Sequence, residues 1–269
     1  MKVITVDTGE YMRAHLFPCR RTAGPGRKKK MKATEEAQAR YNEKMAFHKL
    51  SDKVETNFTP EDWIMTLTYD DAHLPEDPDG AMKRFSSFIR RLKRRMNKKT
   101  PGSASDLKYI NIIQQGSRGG RLHHHVFLKA PGLSFEEVQA AWGQGHTDSR
   151  HLEYNEEGLR GLVEYVLEGR ATVKRWTCSQ NLNDPVVKDH GPFAVSARTV
   201  RAINDHPDDV LFIESLFPGW KVARVESHPG VIDSLGLFVT IYFYRQDNAY
   251  FRYTRYGSID YSYKKREAD

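Results

Sequence analysis

Three consecutive histidines in the segment RLHHHVFL, residues 121–128, are the first candidates for chemistry in this sequence. Their aliphatic neighbours predict a β-strand, in which side chains alternate between two faces. His123 and His125 therefore share one face, and His124 lies on the opposite one. Two imidazoles on one face can bind the same metal ion, whereas unpaired imidazoles are costly to bury. A hydrogen-bonded histidine cluster in the core is the alternative, and the same-face pair favours a metal site.

A third ligand is expected from the segment just before the histidines. LKYINIIQ (107–114) predicts a strand, and QGSRGGR connects it to the histidine strand (122–130), as in an antiparallel hairpin. Gln114 is the polar residue at the end of this apolar run, so its amide oxygen becomes a candidate ligand. Two neutral imidazoles and an amide bind a hard cation weakly until phosphate oxygens complete the site. We therefore expect Mn²⁺ or Mg²⁺ to bind mainly when DNA is present.

The charge of the chain favours a nucleic-acid partner. Its 269 residues include 42 Lys and Arg against 35 Asp and Glu, a net charge of +7, and the pI is about 9.2. Basic residues cluster at 20–32 and 83–99, and neither cluster contains an acid. The segment 81–97 predicts an amphipathic helix with one cationic face. That face and the hairpin turn supply the candidate phosphate-binding residues Arg90, Arg91, Lys93, Arg94, Arg95, Arg118 and Arg121.

Cysteine usage and hydropathy indicate a soluble protein of a reducing compartment. The two cysteines, Cys19 and Cys178, form neither a disulfide framework nor a four-cysteine zinc site. No apolar stretch approaches the length of a membrane span, and the N-terminal segment lacks the apolar centre of a signal peptide. We expect a cytoplasmic protein.

The order of predicted elements indicates an α+β fold with a largely antiparallel sheet. Helices are expected from Thr34, at 134–142 and at 156–169, and a strand is expected at 63–69.

Three segments are expected along the chain. They are a basic irregular segment (1–33), an α+β domain (34–204) and a β-rich extension (205–269) with an aromatic hairpin turned at RQDN. The tail aromatics either stack on DNA bases or face the core of the extension itself. They are Tyr250, Phe251, Tyr253 and Tyr256, interleaved with Arg252 and Arg255.

Four stretches of the sequence resemble, in order, motifs of the HUH endonucleases. They are NFTPEDWIMTLTYDD, YINIIQQGSRGGRLHHHVFL, GLVEYVLEG and WTCSQNLNDP. The resemblance is to the rolling-circle replication initiators of plasmids and small phages of Gram-positive bacteria, and it covers roughly residues 34–185. It implies a bacterial cytoplasmic enzyme with a ferredoxin-like antiparallel sheet, the histidine motif on a central strand and helices packed on the sheet.

The resemblance also assigns roles to residues. It implies that His123 and His125 are metal ligands, that Tyr165 is the nucleophile, and that Gln114 stands where the family most often has a glutamate. Tyr165 would attack a phosphodiester of a single-stranded, hairpin-forming origin, leaving a 5′-phosphotyrosyl bond and a free 3′-hydroxyl primer. Because phenoxide is a good leaving group, the strand can be rejoined. The sequence contains no helicase-type phosphate loop, so unwinding is expected to fall to a host helicase.

Two departures from the family pattern leave alternatives open. Glu168 stands where the family often has a lysine, and Arg170 or Lys174 would have to supply that cation. Gln114 removes a charge from the metal site. A non-catalytic sequence-specific DNA-binding protein, such as a repressor with a degenerate site, is therefore a second hypothesis, and a related single-tyrosine transposase is a third. Without the resemblance, Tyr165 is more simply a half-buried helix tyrosine, and Tyr154 is the fallback nucleophile.

Overall fold

The computed structural model describes residues 1–19, 35–116, 120–168, 176–229 and 237–250, and the backbone of 252–253 and 259–260. In these ranges the chain forms two five-stranded antiparallel sheets and six α-helices, which confirms the α+β class. The first strands are β1 (Lys2–Asp7), β2 (Tyr11–Phe17), β3 (Trp63–Leu67), β4 (Lys108–Gln115), β5 (Leu122–Lys129) and β6 (Thr147–His151). The others are β7 (Thr177–Cys178), β8 (Val186–Asp189), β9 (Trp220–Pro229), β10 (Leu237–Arg245), β11 (Arg252–Tyr253) and β12 (Ile259–Asp260). The helices are α1 (Glu35–Asn57), α2 (Pro78–Lys99), α3 (Phe135–Trp142), α4 (Arg160–Leu167), α5 (Ala197–Asp205) and α6 (Val210–Ser215).

The chain divides into two compact units. The first comprises Met1–Glu55, Tyr154–Gly158 and Asp184–Asp269, and the second, which we call the histidine unit, comprises Thr56–Glu153 and Leu159–Asn183. The sequence-based boundary at 204/205 falls inside the first unit.

The sheet of the histidine unit has the strand order β6-β3-β5-β4-β7, so the histidine strand β5 is central. Among the described residues, β4 and β5 pair antiparallel as predicted, and the pairing continues from β5 to β3. A 3₁₀ turn at Ser103–Asp106 leads from α2 into β4.

Helices α2 and α3 cover one face of this sheet. The predicted apolar stripe of α2 is confirmed, because Phe85, Ile89, Leu92 and Met96 are buried in a core shared with β5 and α3. Asp77 caps the start of α2 by accepting a hydrogen bond from the backbone N–H of Gly80.

Helix α4 lies against the opposite face of the sheet. It buries Val163 and Val166, and its last turn is bonded to Gln114 of β4. The helix is shorter than the predicted 156–169, because Asn155 and Gly158 form a turn before it, with Gly158 at a φ of 69°.

The first unit contains the second sheet, with the strand order β8-β1-β2-β10-β9. Val200 and Ile203 of α5 and Ile213 of α6 pack against one face of this sheet. On strand β2, Arg13 forms a two-pronged ion pair with Asp52 of α1, with both N–O distances 2.8 Å.

Two sequence-based expectations about the ends of the chain are wrong. Residues 2–17 are not irregular but form β1 and β2, and the backbone turns at Gly9, which has a φ of 105°. The strand ending at RQDN is β10, and its partners are β2 and β9 rather than the following segment. The predicted aromatic hairpin is replaced by non-local pairing, because the partner strands supply a complementary apolar face that the tail does not.

Of the tail aromatics, only Tyr250 has a described side chain. Its ring lies 4.7 Å from that of Tyr154 and 6.5 Å from that of Tyr11, centroid to centroid. Phe251, Tyr256 and Arg255 lie outside the described residues, and for Arg252 and Tyr253 only the backbone is described.

None of the described helices combines the length and the apolar character that a membrane span needs.

Candidate active site

The β4–β5 register brings Gln114 and the two same-face histidines together. Gln114 pairs directly with His123 across the two strands. Its side-chain oxygen, Oε1, lies 3.2 Å from Nε2 of His123 and 3.0 Å from Nε2 of His125. The three side chains that the sequence singled out as ligands therefore converge on one point of the sheet surface.

The orientation of the Gln114 amide is fixed by the end of α4. Its nitrogen, Nε2, donates to the backbone oxygens of Tyr165 at 3.1 Å, Val166 at 3.0 Å and Glu168 at 2.5 Å. With the nitrogen held by these carbonyls, the amide oxygen must face the histidines.

The orientation of each histidine is fixed from its other ring nitrogen. Nδ1 of His123 lies 3.2 Å from the backbone oxygen of Arg121, which can only accept a hydrogen bond. His123 is therefore protonated on Nδ1, and the lone pair of its Nε2 points toward Gln114. Nδ1 of His125 lies 3.3 Å from the hydroxyl of Thr66, on the neighbouring strand.

The contact between His123 Nε2 and Gln114 Oε1 therefore joins two acceptors with no proton between them. A cation at this point would relieve that repulsion. Cis ligands of an octahedral ion at about 2.1 Å lie about 3.0 Å apart, which matches the observed spacing of the donor atoms. Burial, with a smaller contribution from His123, lowers the pKa of His125 to about 4, so this ring is neutral and able to bind a metal at pH 7. The donor set thus fits a small divalent cation.

This site depends on the amide oxygen. Within the described part of the chain, no cluster of three or more His, Cys, Asp or Glu side chains could hold a metal ion. An analysis limited to those four residue types would miss Gln114.

His124 has a separate, structural role on the other face of the sheet. Its Nε2 lies 2.6 Å from the hydroxyl of Tyr69 and its Nδ1 lies 2.8 Å from Oδ1 of Asn111. The ring is fully buried and stacks on Phe85, with centroids 5.3 Å apart. Both ring nitrogens are used inside the protein, so His124 is not available as a metal ligand.

Tyr165 lies beside the histidine pair and is open to solvent. Its side chain is 59% exposed, although its neighbours Val163 and Val166 on α4 are buried. Its ring lies edge-on to that of His125, with centroids 5.5 Å apart. The half-buried helix tyrosine that composition alone favours is therefore not what α4 presents.

Tyr154, the fallback nucleophile, is in a different environment. It is 1% exposed, belongs to the first unit and stacks on Tyr11 with ring centroids 5.7 Å apart. A phosphodiester cannot approach this hydroxyl without rearrangement of the fold.

The cationic residues of α2 do not lie at the histidine pair. Because Phe85 of α2 stacks on His124, the helix covers the sheet face opposite to His123 and His125. The guanidinium of Arg91 donates to the carbonyls of Ala141 and Trp142 at 2.6 and 2.9 Å, and that of Arg95 donates to the carbonyl of Glu137. Both side chains therefore support α3.

Three cations of α2 remain open to an outside partner. Arg90 and Arg94 are exposed, and exposed Lys93 lines an open cavity of about 400 Å³ with Tyr109 and Gln180. On the hairpin turn, Arg121 pairs with Asp71 at 2.6 Å. Arg118, Arg170 and Lys174 lie outside the described residues. The side chain of Glu168 is exposed, and its backbone oxygen is one of the three acceptors of Gln114.

Two residues that support the site were not identified from the sequence. Thr66 contacts His125, and Asn111 holds His124 together with Tyr69. Both are polar residues inside otherwise apolar strands, which was the available signal, but their partners depend on the register of three strands.

Comparison with known proteins connects this segment to a class of replication-associated proteins. Residues 62–169, which are less than half of the chain, match the family model of the replication-associated protein ORF2. The matched segment contains Gln114, His123, His125 and Tyr165, and it supports a replication-initiator family. No curated protein and no solved structure matches the chain.

Proposed function

We propose that the protein is a replication initiator that nicks and rejoins single-stranded DNA at an origin, with Tyr165 as nucleophile and a divalent cation as cofactor. The observation that carries this proposal is the exposed ring of Tyr165 beside the converging donors of Gln114, His123 and His125. The family match supports the replication role for the same segment.

The metal half of the proposal assigns His123, His125 and Gln114 as ligands of Mn²⁺ or Mg²⁺. A bound divalent cation would polarise the phosphodiester and neutralise the charge that develops on its oxygens. Two neutral imidazoles and one amide supply no negative charge, so phosphate oxygens of the DNA are needed for tight binding. Thr66 and the carbonyl of Arg121 keep the two rings oriented.

The covalent half assigns the attack to the hydroxyl of Tyr165. The phenol loses its proton and its oxygen bonds to phosphorus, while the bond from phosphorus to the 3′ oxygen breaks and that oxygen gains a proton. No water is consumed, so one phosphodiester is exchanged for another and the step can run backwards to rejoin the strand. A free tyrosine has a pKa of about 10, which is why a cation on the phosphate is needed at neutral pH.

DNA binding is proposed to use the cations that are not engaged by α3. On the helix these are Arg90, Lys93 and Arg94, and near the hairpin turn they are Arg118 and Arg121, with Arg170 and Lys174 after α4. Since α2 covers the opposite sheet face, its cations would contact DNA that flanks the scissile position rather than the scissile phosphate. The protein would act in the bacterial cytoplasm, with a host helicase unwinding the duplex.

An oligonucleotide nicking assay with Mn²⁺ tests this proposal. The wild type and Tyr154→Phe should both release a product with a free 3′-hydroxyl from single-stranded origin DNA, and Tyr165→Phe should release none. Equal product from Tyr165→Phe would exclude Tyr165 as the nucleophile. Specific binding without any product from the wild type on its own origin would favour the non-catalytic DNA-binding protein.

A further inference from the structure

We propose that Gln114 has two roles, one on each side of its amide group. Its nitrogen holds the last turn of the tyrosine helix α4, and its oxygen faces the histidine pair. The metal half of this inference rests on the proposed function, whereas the helix half rests on the hydrogen bonds alone.

The first observation is the number of acceptors around one nitrogen. Nε2 of Gln114 reaches the backbone oxygens of Tyr165, Val166 and Glu168 within 3.1 Å. The last four carbonyls of an α-helix have no partner inside the helix, and here a side chain from a neighbouring strand binds two of them. Gln114 therefore acts as a C-terminal cap supplied from outside the helix.

The second observation is that α4 has little stability of its own. It contains eight residues, and its N-cap position, Leu159, makes no side-chain hydrogen bond. Isolated helices shorter than about 12 residues are marginal in water, so α4 depends on contacts with the sheet. Apart from Val163 and Val166, whose side chains are buried, the Gln114 amide is the described contact that fixes the turn carrying Tyr165.

The chemistry of the site requires an amide here rather than a carboxylate. A carboxylate at residue 114 has no proton to donate, so it would face three carbonyl oxygens at the negative end of the helix dipole. A glutamate would suit the cation better and the helix worse. The amide at this position is therefore explained by the helix that it holds, and it is not a sign of a degenerate site.

One consequence is that the ligand and the nucleophile are positioned together. Rotation of the amide that turned its nitrogen toward His123 would break the bonds to α4 and leave the carbonyls of Tyr165 and Val166 without partners. The amide oxygen is therefore directed at the histidine pair before any cation arrives, by the same bonds that set the position of Tyr165.

Two opposite substitutions separate the two roles. Gln114→Glu keeps an oxygen for the cation and removes the donors, and Gln114→Lys keeps a donor for the carbonyls and removes the oxygen. Gln115→Glu and Gln115→Lys are matched controls, since Gln115 is the exposed neighbour on the same strand and takes the same change of charge. Hydrogen exchange of a peptide spanning residues 160–168, followed by mass spectrometry without metal, reports on the helix. Titration with Mn²⁺ in the presence of single-stranded DNA reports on the ligand.

In Gln114→Glu, exchange in α4 should be faster by about tenfold, because buried carbonyls lose their partners. Its affinity for Mn²⁺ should be equal to that of the wild type or higher. In Gln114→Lys, exchange should stay within about twofold of the wild type and Mn²⁺ affinity should fall by about tenfold or more. Both Gln115 variants should behave as the wild type does in both measurements.

Unchanged exchange in Gln114→Glu, or lower Mn²⁺ affinity in that variant despite faster exchange, would overturn the two-sided role. If Gln114→Glu does not fold, as judged by near-ultraviolet circular dichroism, the comparison rests on Gln114→Lys, where faster exchange in α4 would overturn it. Failure of the wild type to form a tyrosyl adduct would refute the proposed function instead, and it would leave the result of the exchange measurement unaffected.

Discussion

The ring of Tyr165 lies edge-on to the ring of His125, with centroids 5.5 Å apart and an angle of 71° between their planes. The two side chains differ sharply in exposure, because Tyr165 is 59% exposed and His125 is 3% exposed. A nucleophile has to meet a DNA strand from outside, whereas a neutral metal ligand benefits from a shielded position. The arrangement provides both conditions within one contact.

Removal of either same-face histidine should abolish metal binding without unfolding the protein. For His123→Ala and His125→Ala we expect the affinity for Mn²⁺, measured with single-stranded DNA present, to fall by at least about tenfold. Electron paramagnetic resonance of bound Mn²⁺ provides the measurement. Wild-type affinity in both variants would show that the ion, if one binds, is held elsewhere.

Removal of His124 should have the opposite effect. His124→Ala loses two buried hydrogen bonds and a stacked ring, so its free energy of unfolding should fall by about 3 kcal/mol. The exposed fraction of His123 makes the corresponding loss in His123→Ala smaller. Urea denaturation of the two variants gives the comparison, and equal losses would contradict the assignment of the two faces.

Arg91 and Arg90 are adjacent on α2 but should respond differently to substitution. Arg91→Ala should reduce the free energy of unfolding by about 2 kcal/mol, because the carbonyls at the end of α3 lose a charged donor. Arg90 is exposed and its one described side-chain hydrogen bond is to Ser87, so Arg90→Ala should leave stability unchanged. If Arg90 binds a phosphate, this variant should also lower the salt dependence of DNA binding, with a slope smaller by about 1. A stability loss in Arg90→Ala equal to that in Arg91→Ala would contradict this division.

His15 of the first unit should make stability depend on pH. Burial, followed by the charges of Arg13 and Lys44, lowers the pKa of His15 to about 4 from the ordinary 6.5. The unfolded chain therefore binds a proton that the folded chain rejects, so stability is complete above pH 6.5 and is lost as the pH falls toward 4. Between pH 6.5 and 5 the loss from this group should be about 2 kcal/mol.

His15→Gln is the matched variant for that measurement. Its side-chain oxygen can still accept from Nε of Arg13, and its nitrogen can donate to Thr240, so the contacts remain while the titration is removed. Urea denaturation at pH 6.5 and pH 5 should show a smaller difference in this variant than in the wild type. An identical difference would assign the pH dependence to other groups.

The core of the histidine unit was predictable because its signals are local. The stripe of α2 has helical spacing, and the segments around β4 and β5 lie within one hairpin, so alternation alone placed Gln114 with His123 and His125. These are the parts of the fold where neighbours in sequence are also neighbours in space.

The second sheet was missed for the opposite reason. Strand β2 pairs with β10, so that Leu16 lies opposite Val239, and no local pattern reveals a partner so distant in the chain. The β-branched run VITV and the glycine of DTGE were the available signals for β1 and its turn. The capping of α4 by Gln114 could not be predicted either, because it requires the three-dimensional position of a helix end.

The central claim is that the hydroxyl of Tyr165 becomes covalently joined to DNA, and mass spectrometry of the protein tests it most directly. After incubation with single-stranded origin DNA and Mn²⁺, followed by nuclease and protease digestion, we predict a nucleotide adduct on the peptide containing Tyr165 in the wild type and no adduct in Tyr165→Phe. An adduct on another residue, or nicked DNA with no protein adduct at all, would contradict the account.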